Sequence, residues 1–277
     1  MKPARFRYVA ATSVAHATAA LAEGGAEARL IAGGQTLRPM LNLRLAMPSI
    51  LIDISRVDGL GGLENTGTTC VIGACVTHAA LEDSRSDSPT GVFLRYVAAR
   101  IAYRAVRNRG TIGGSLAHAD PAADWLSALL ALDAELNIAG TAAVRQVPMQ
   151  QFMRGAFTTA IGPAELLTSI RIPELSADAH WGYYRICRKV GDFPEAIGAV
   201  VLDPVRRYGR IVTGAVDGPP VVLTELAADA ARAGSSAASL DGVKEAIRSV
   251  LPDMDSVDLQ LHAVAVRRAL LQALPHD

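Results

Sequence analysis

Two short glycine-bearing loops hold the residues of this chain best suited to chemistry. The first runs Ala32-Gly33-Gly34-Gln35-Thr36-Leu37 and follows the apolar pair Leu30-Ile31. The second runs Thr111-Ile112-Gly113-Gly114-Ser115-Leu116-Ala117-His118, with Asp120-Pro121-Ala122-Ala123-Asp124 after it. Paired glycines let the backbone adopt positive φ and approach a ligand without a Cβ clash. Successive N–H groups in such a turn form a concave site for an anion such as a pyrophosphate. Each loop is expected to leave a strand and enter a helix, so that a dinucleotide is held from both sides. Backbone N–H groups from Gly33 to Thr36 and the Thr36 hydroxyl are the candidate phosphate donors, with Thr111, Gly113, Gly114, Ser115 and His118 in the mirrored role. Arg107 and Arg109 precede the second loop and are either phosphate contacts or surface charge.

Other chemistries lack their signatures. The sequence has no G-x-G-x-x-G, no Walker loop, no H-E-x-x-H and no G-x-S-x-G. Its six histidines (16, 78, 118, 180, 262, 276) lack metal-ligand spacing, and His78 reads as a polar residue at a helix start. Cys70, Cys75 and Cys187 are too few for an iron–sulfur cluster, which takes about four thiolates. Balanced charge, 27 basic against 27 acidic residues, offers no electrostatic footprint for nucleic acid. No apolar run reaches the roughly 20 residues of a membrane span, and the start lacks an apolar signal core. A cytoplasmic location is expected.

Elements able to position these loops can be traced along the chain. Helical patterns cover 17–23, 39–45, 89–105 and 122–132. Strand patterns cover 29–32, 50–54, 70–74, 134–138, 143–147 and 166–172, and Thr77 can cap a helix through Leu81. Asp120 followed by Pro121 reads as a helix entry capped by Asp120, and Asp124, in the first turn, reads on its own as either a dipole-stabilising residue or a ligand group. Beyond about residue 175 the pattern changes to three strands (181–188, 196–202, 210–216) and then three helices (223–233, 240–250, 259–274). An α+β architecture follows. Residues 1–175 form one domain, with parts at about 1–55 and 56–175, and residues 176–277 form a second of three antiparallel strands and a helical bundle.

The stretches Ala32–Arg44 and Arg107–Asp124 resemble the two FAD-binding signatures of molybdenum hydroxylases. More narrowly, the whole chain resembles the FAD-binding (medium) subunit of the carbon monoxide dehydrogenase and xanthine dehydrogenase family. The resemblance implies a two-part FAD-binding domain of the vanillyl-alcohol oxidase type, with non-covalent FAD on Ala32, Gly33, Gly34, Gln35, Thr36, Leu37, Thr111, Gly113, Gly114, Ser115, His118 and Leu167. It implies that Asp124 binds the adenosine ribose and that Arg185 and Phe193 lie near the flavin ring. The family commonly has Lys at the first of these two positions and an aromatic, often Tyr, at the second. Arginine keeps the positive charge that stabilises reduced flavin, whereas Phe193 can shield a ring but donates no hydrogen bond.

The implied partners are a large subunit with the molybdenum cofactor and a small subunit with 2Fe-2S clusters, assembled as a dimer of heterotrimers. Electrons would leave FAD for NAD, a quinone or oxygen. A stand-alone flavin oxidase would need a larger substrate-covering domain than about a hundred C-terminal residues without an acid/base cluster. A nucleotide-binding interaction module would lack flavin colour.

Overall fold

A computed structural model describes residues 2–274; His276 lies outside them. The first unit is a three-stranded parallel sheet in the order Arg7–Ala10, Ile50–Asp53, Ala28–Ile31. Its central strand, Ile-Leu-Ile-Asp, is almost wholly apolar, as a strand covered on both faces must be. Helix Val14–Gly24 packs its Ala17, Ala20 and Leu21 into the same core as Ile52. Ser13 caps this helix by accepting the His16 N–H at 3.0 Å. Ligand sites in open parallel sheets lie beyond the carboxyl ends of the strands, and the first glycine loop leaves Ala28–Ile31 at that end.

The second unit is a five-stranded antiparallel sheet ordered Leu63–Asn65, Thr69–Gly73, Leu166–Pro173, Glu135–Ala139, Val144–Pro148. Helices Pro89–Ala98 and Asp124–Ala131 share a core with it. The single helix expected over 89–105 is two: Pro89–Ala98, and Arg104–Arg107 after a break at Ala102, whose φ is 44°. The helix expected from residue 122 starts at Asp124. Asp120 instead holds the preceding turn, accepting the Ala122 N–H at 3.0 Å.

The C-terminal sheet is antiparallel and ordered His180–Ile186, Ala196–Asp203, Tyr208–Gly214, Val221–Val222. The two-residue last strand adds a fourth to the three expected. Side chains alternate across it: Tyr183, Ile197, Ala199, Val201 and Val212 face the core containing Phe93 and Trp125. Val200 and Ile211 face helices Thr224–Ala233, Leu240–Val250 and Ser256–Ala273. This period-two division gives one sheet two buried faces. Phe93 meets Trp181 and Tyr183 edge-on, at 5.2 and 6.1 Å between ring centroids.

Candidate cofactor-binding site

One cleft of about 870 Å³ runs between the two glycine loops and the rim of the C-terminal sheet. That volume lies toward the upper end of the range of small-ligand sites, about 300–1,000 Å³. Residues 32–37, Thr111, Gly113, Gly114, Ser115, His118, Asp124, Leu167, Arg185 and Phe193 all line it. The sequence-derived residues, scattered over 160 positions, therefore converge on one place.

The first loop leads from strand Ala28–Ile31 to helix Leu37–Asn42 as expected. Gly34 has φ +67°, and Gly33 lies so close to the second loop that a Cβ would sit 1.8 Å from the Arg109 carbonyl oxygen. The two loops therefore touch through backbone, which only glycine at position 33 permits. Among the described residues, the N–H groups of Gly33, Gly34, Gln35 and Thr36 make no hydrogen bond within the protein, and the Thr36 hydroxyl caps nothing. Four adjacent donors without protein partners on a cleft wall are what an anion nest requires.

The second loop differs from its expected mirror image. It follows a short helix, Arg104–Arg107, rather than a strand. Its N–H groups are occupied: Gly113 donates to the Ala74 carbonyl at 2.9 Å and Gly114 to the Thr111 hydroxyl at 3.0 Å. Ser115 donates its N–H to the Thr111 carbonyl at 3.0 Å. What this loop offers a ligand is side chains: the Thr111 hydroxyl proton, the Ser115 hydroxyl and the His118 ring, which lies 5.1 Å from Phe157 between centroids. A bridge between Thr77 and Thr111 fastens the loop to the body of the protein.

Arg107 is not a phosphate contact. It is buried, with Nε and Nη2 on the two Glu82 carboxylate oxygens at 2.8 Å each. Its Nη1 donates to the carbonyls of Ile101 and Ala102 at 3.0 Å. This bidentate pair holds Glu82 below the usual carboxylate range. Arg109 is exposed and absent from the cleft wall.

Asp124 is buried at the first turn of its helix and accepts the Tyr183 hydroxyl at 2.7 Å. The Arg185 guanidinium approaches it to 3.3 Å. Burial pushes the Asp124 carboxyl up, against the opposing pull of Arg185 and Tyr183. Arg185 also donates to the carbonyls of Arg100 and Asp192. It thus ties the cleft rim to the turn at 189–193, which presents Phe193 at 65% exposure. Nothing in the sequence near Asp124 indicates Tyr183, 59 positions away. His78, also unassigned from sequence, lines the cleft and accepts the Trp125 indole N–H on Nδ1 at 3.1 Å.

No group of three or more His, Cys, Asp or Glu among the described residues is placed to hold a metal ion. No helix among them is long and apolar enough to cross a membrane.

Comparison with known proteins agrees with this geometry. Residues 4–175 match the family model described as "FAD binding domain in molybdopterin dehydrogenase". The chain is 42% identical over 214 residues to the alpha subunit of the 6-hydroxypseudooxynicotine dehydrogenase complex of Paenarthrobacter nicotinovorans, covering 76% of this chain and 72% of that one. It is 36% identical over 252 residues to the carbon monoxide dehydrogenase medium chain of Hydrogenophaga pseudoflava, covering 90% and 85%. A chain of reconstituted CO dehydrogenase from Oligotropha carboxidovorans superposes with a TM-score of 0.88 at 31% identity, over 99% of both chains. The cleft and fold are those of a flavoprotein component of a multi-subunit oxidoreductase. The chain belongs to the family of FAD-binding medium subunits of molybdenum hydroxylases. FAD is its cofactor, and the unpaired donors at Gly33–Thr36 suit a pyrophosphate.

Proposed function

We propose that this chain carries electrons between iron–sulfur clusters on a small partner subunit and an external acceptor, with substrate oxidation at a molybdenum site on a large partner subunit. The observation that supports this most is the anion nest at Gly33–Thr36, opening on a cleft of about 870 Å³. The chain's three cysteines cannot hold a cluster themselves. Residues 1–175 are assigned to FAD binding and 176–277 to a C-terminal domain, an assignment supported by the extent of the family match.

Bound FAD would supply the redox chemistry, accepting electrons and releasing them to NAD, a quinone or oxygen. The protein's residues bind and orient it. The N–H groups of Gly33 to Thr36 hold pyrophosphate oxygens, joined by the hydroxyls of Thr36, Thr111 and Ser115. Asp124 offers the ribose hydroxyls the carboxylate lone pairs that Tyr183 and Arg185 leave free. Leu167 closes the floor, and His118 borders the phosphate end. Arg185, held by two carbonyls and Asp124, places fixed positive charge near the ring, and Phe193 shields the ring from water. The rim from Arg185 to Phe193 is the face for the cluster subunit, and a dimer of heterotrimers is the expected assembly in the cytoplasm.

Purification from the native host is expected to bring down a cluster-bearing chain and a molybdenum-bearing chain with this one. The isolated chain is expected to be yellow and to reduce acceptors only when reduced chemically. Steady-state oxidation of an organic substrate by the isolated chain would refute the proposal.

A further inference from the structure

His78 is 5% exposed and lines the cleft, yet nothing in the glycine-loop pattern includes it. Its Nδ1 accepts from the Trp125 indole at 3.1 Å. An indole N–H can only donate, so Nδ1 must be the bare nitrogen and Nε2 must carry the proton. Among the described residues Nε2–H makes no hydrogen bond. The ring is buried, but Nε2 is not sealed from solvent: its N–H opens on the cleft, where a bound ligand can supply the acceptor.

The ring's place indicates which part of the ligand. The backbone N–H of His78 donates to the Gly110 carbonyl at 2.9 Å. The ring lies so close to Gly110 that a Cβ there would sit 3.0 Å from Nε2. Gly33 of the first loop touches the same Arg109–Gly110 backbone. His78 therefore sits under the seam of the two loops, the place assigned to the pyrophosphate. Burial and the nearby Arg107 guanidinium lower its pKa to about 4, so the ring stays a neutral donor at physiological pH.

We propose that His78 binds the cofactor by donating its Nε2–H to a pyrophosphate oxygen of FAD, and that Trp125 is the positioning residue holding the proton on that nitrogen. This rests on the placement of FAD between the two loops.

The test uses the flavin-depleted full chain, titrated with FAD and with ADP, which shares the pyrophosphate but lacks the flavin. His78→Phe is expected to weaken both by about 10- to 100-fold, the worth of a hydrogen bond to a charged acceptor. The absorption spectrum of bound FAD should not change. His78→Gln, whose amide can donate in place of Nε2, is expected to recover most of the loss. In ¹⁵N-histidine spectra at neutral pH, Nε2 should be protonated, Nδ1 bare, and the Nε2 signal should move on adding ADP. Trp125→Phe should yield a mixture of tautomers. These spectra decide the matter for the unaltered protein even where a variant folds poorly. Wild-type ADP affinity in His78→Phe, or a proton on Nδ1, would overturn the proposal. If Gly33→Ala also binds ADP like the wild type, the loop placement itself fails; if Gly33→Ala loses ADP while His78→Phe does not, only the role of His78 fails.

Discussion

Asp124→Ala is expected to destabilise the protein as well as weaken FAD binding, because Asp124 joins segments far apart in sequence. Its carboxyl is 6% exposed, accepts the Tyr183 hydroxyl at 2.7 Å and lies 3.3 Å from the Arg185 guanidinium. Removing it strands a buried hydroxyl and a nearly buried cation. Breaking a buried ion pair from one side costs about 3–5 kcal/mol. Arg185 keeps its carbonyl partners at Arg100 and Asp192, so the lower end, about 3 kcal/mol, applies. Tyr183→Phe removes one hydrogen bond to a charged acceptor, worth about 1.5–3 kcal/mol. Because the two changes break the same bond, the double variant should fall short of their sum by about 1.5–3 kcal/mol. Denaturant unfolding of the FAD-free chain, followed by the fluorescence of Trp125 and Trp181, measures all four corners of this cycle. Asp124→Asn still accepts from Tyr183 but loses the charge facing Arg185, so it separates the hydrogen-bond part of the cost from the ionic part. Strict additivity, or an Asp124→Ala protein within about 1 kcal/mol of wild type, would refute the network on which this rests.

Three further outcomes are expected. Gly33→Ala drives a methyl group into the Arg109 carbonyl, so the loops must separate; flavin occupancy of the purified protein should fall sharply and its melting temperature should drop. Arg107→Met leaves Glu82, which is partly buried, with only Arg104 as its ionic partner, at a cost of about 1.5–3 kcal/mol in denaturant unfolding, and saturating FAD should restore part of it. His78 and His262 are both held neutral by burial, at about 4 against the ordinary 6.5. Between those values the unfolded chain binds protons that the folded chain does not, so stability is lost as the pH falls. At pH 5 the loss is about 2 kcal/mol per histidine, and His262→Gln should remove about half of the combined slope in a pH series of unfolding curves.

The glycine loops were legible in sequence because they are local: residue type and spacing alone place Gly33 to Thr36 after a strand and before a helix. Thr77, capping helix His78–Glu82 through the Ala80 N–H at 3.1 Å, was legible for the same reason. Spacing does not reveal which donors a loop leaves free. The second loop looks equivalent to the first, yet its backbone is consumed by Ala74 and Thr111. Arg107 reads as either a phosphate contact or surface charge until Glu82, 25 positions earlier, is seen to take its guanidinium. The break at Ala102 escapes notice because an alanine-rich run continues the apolar pattern on either side. His78 carried no local signal, since its meaning lies in a tautomer set by Trp125, 47 positions away.

Asp203 has a bearing on how relatives of this protein can exchange parts. Its fully buried carboxyl accepts the Ser176 N–H at 2.8 Å, the Ser176 hydroxyl at 2.7 Å and the Arg206 N–H at 3.1 Å. A chimera joined at residue 175 would take Ser176 and Asp203 from one parent, preserving that clasp. The same junction would take Asp124 from one parent and Tyr183 and Arg185 from the other. Viable recombinants should therefore be those whose parents agree at positions 124, 183 and 185, and a seam that looks modular along the sequence is interlocked in space.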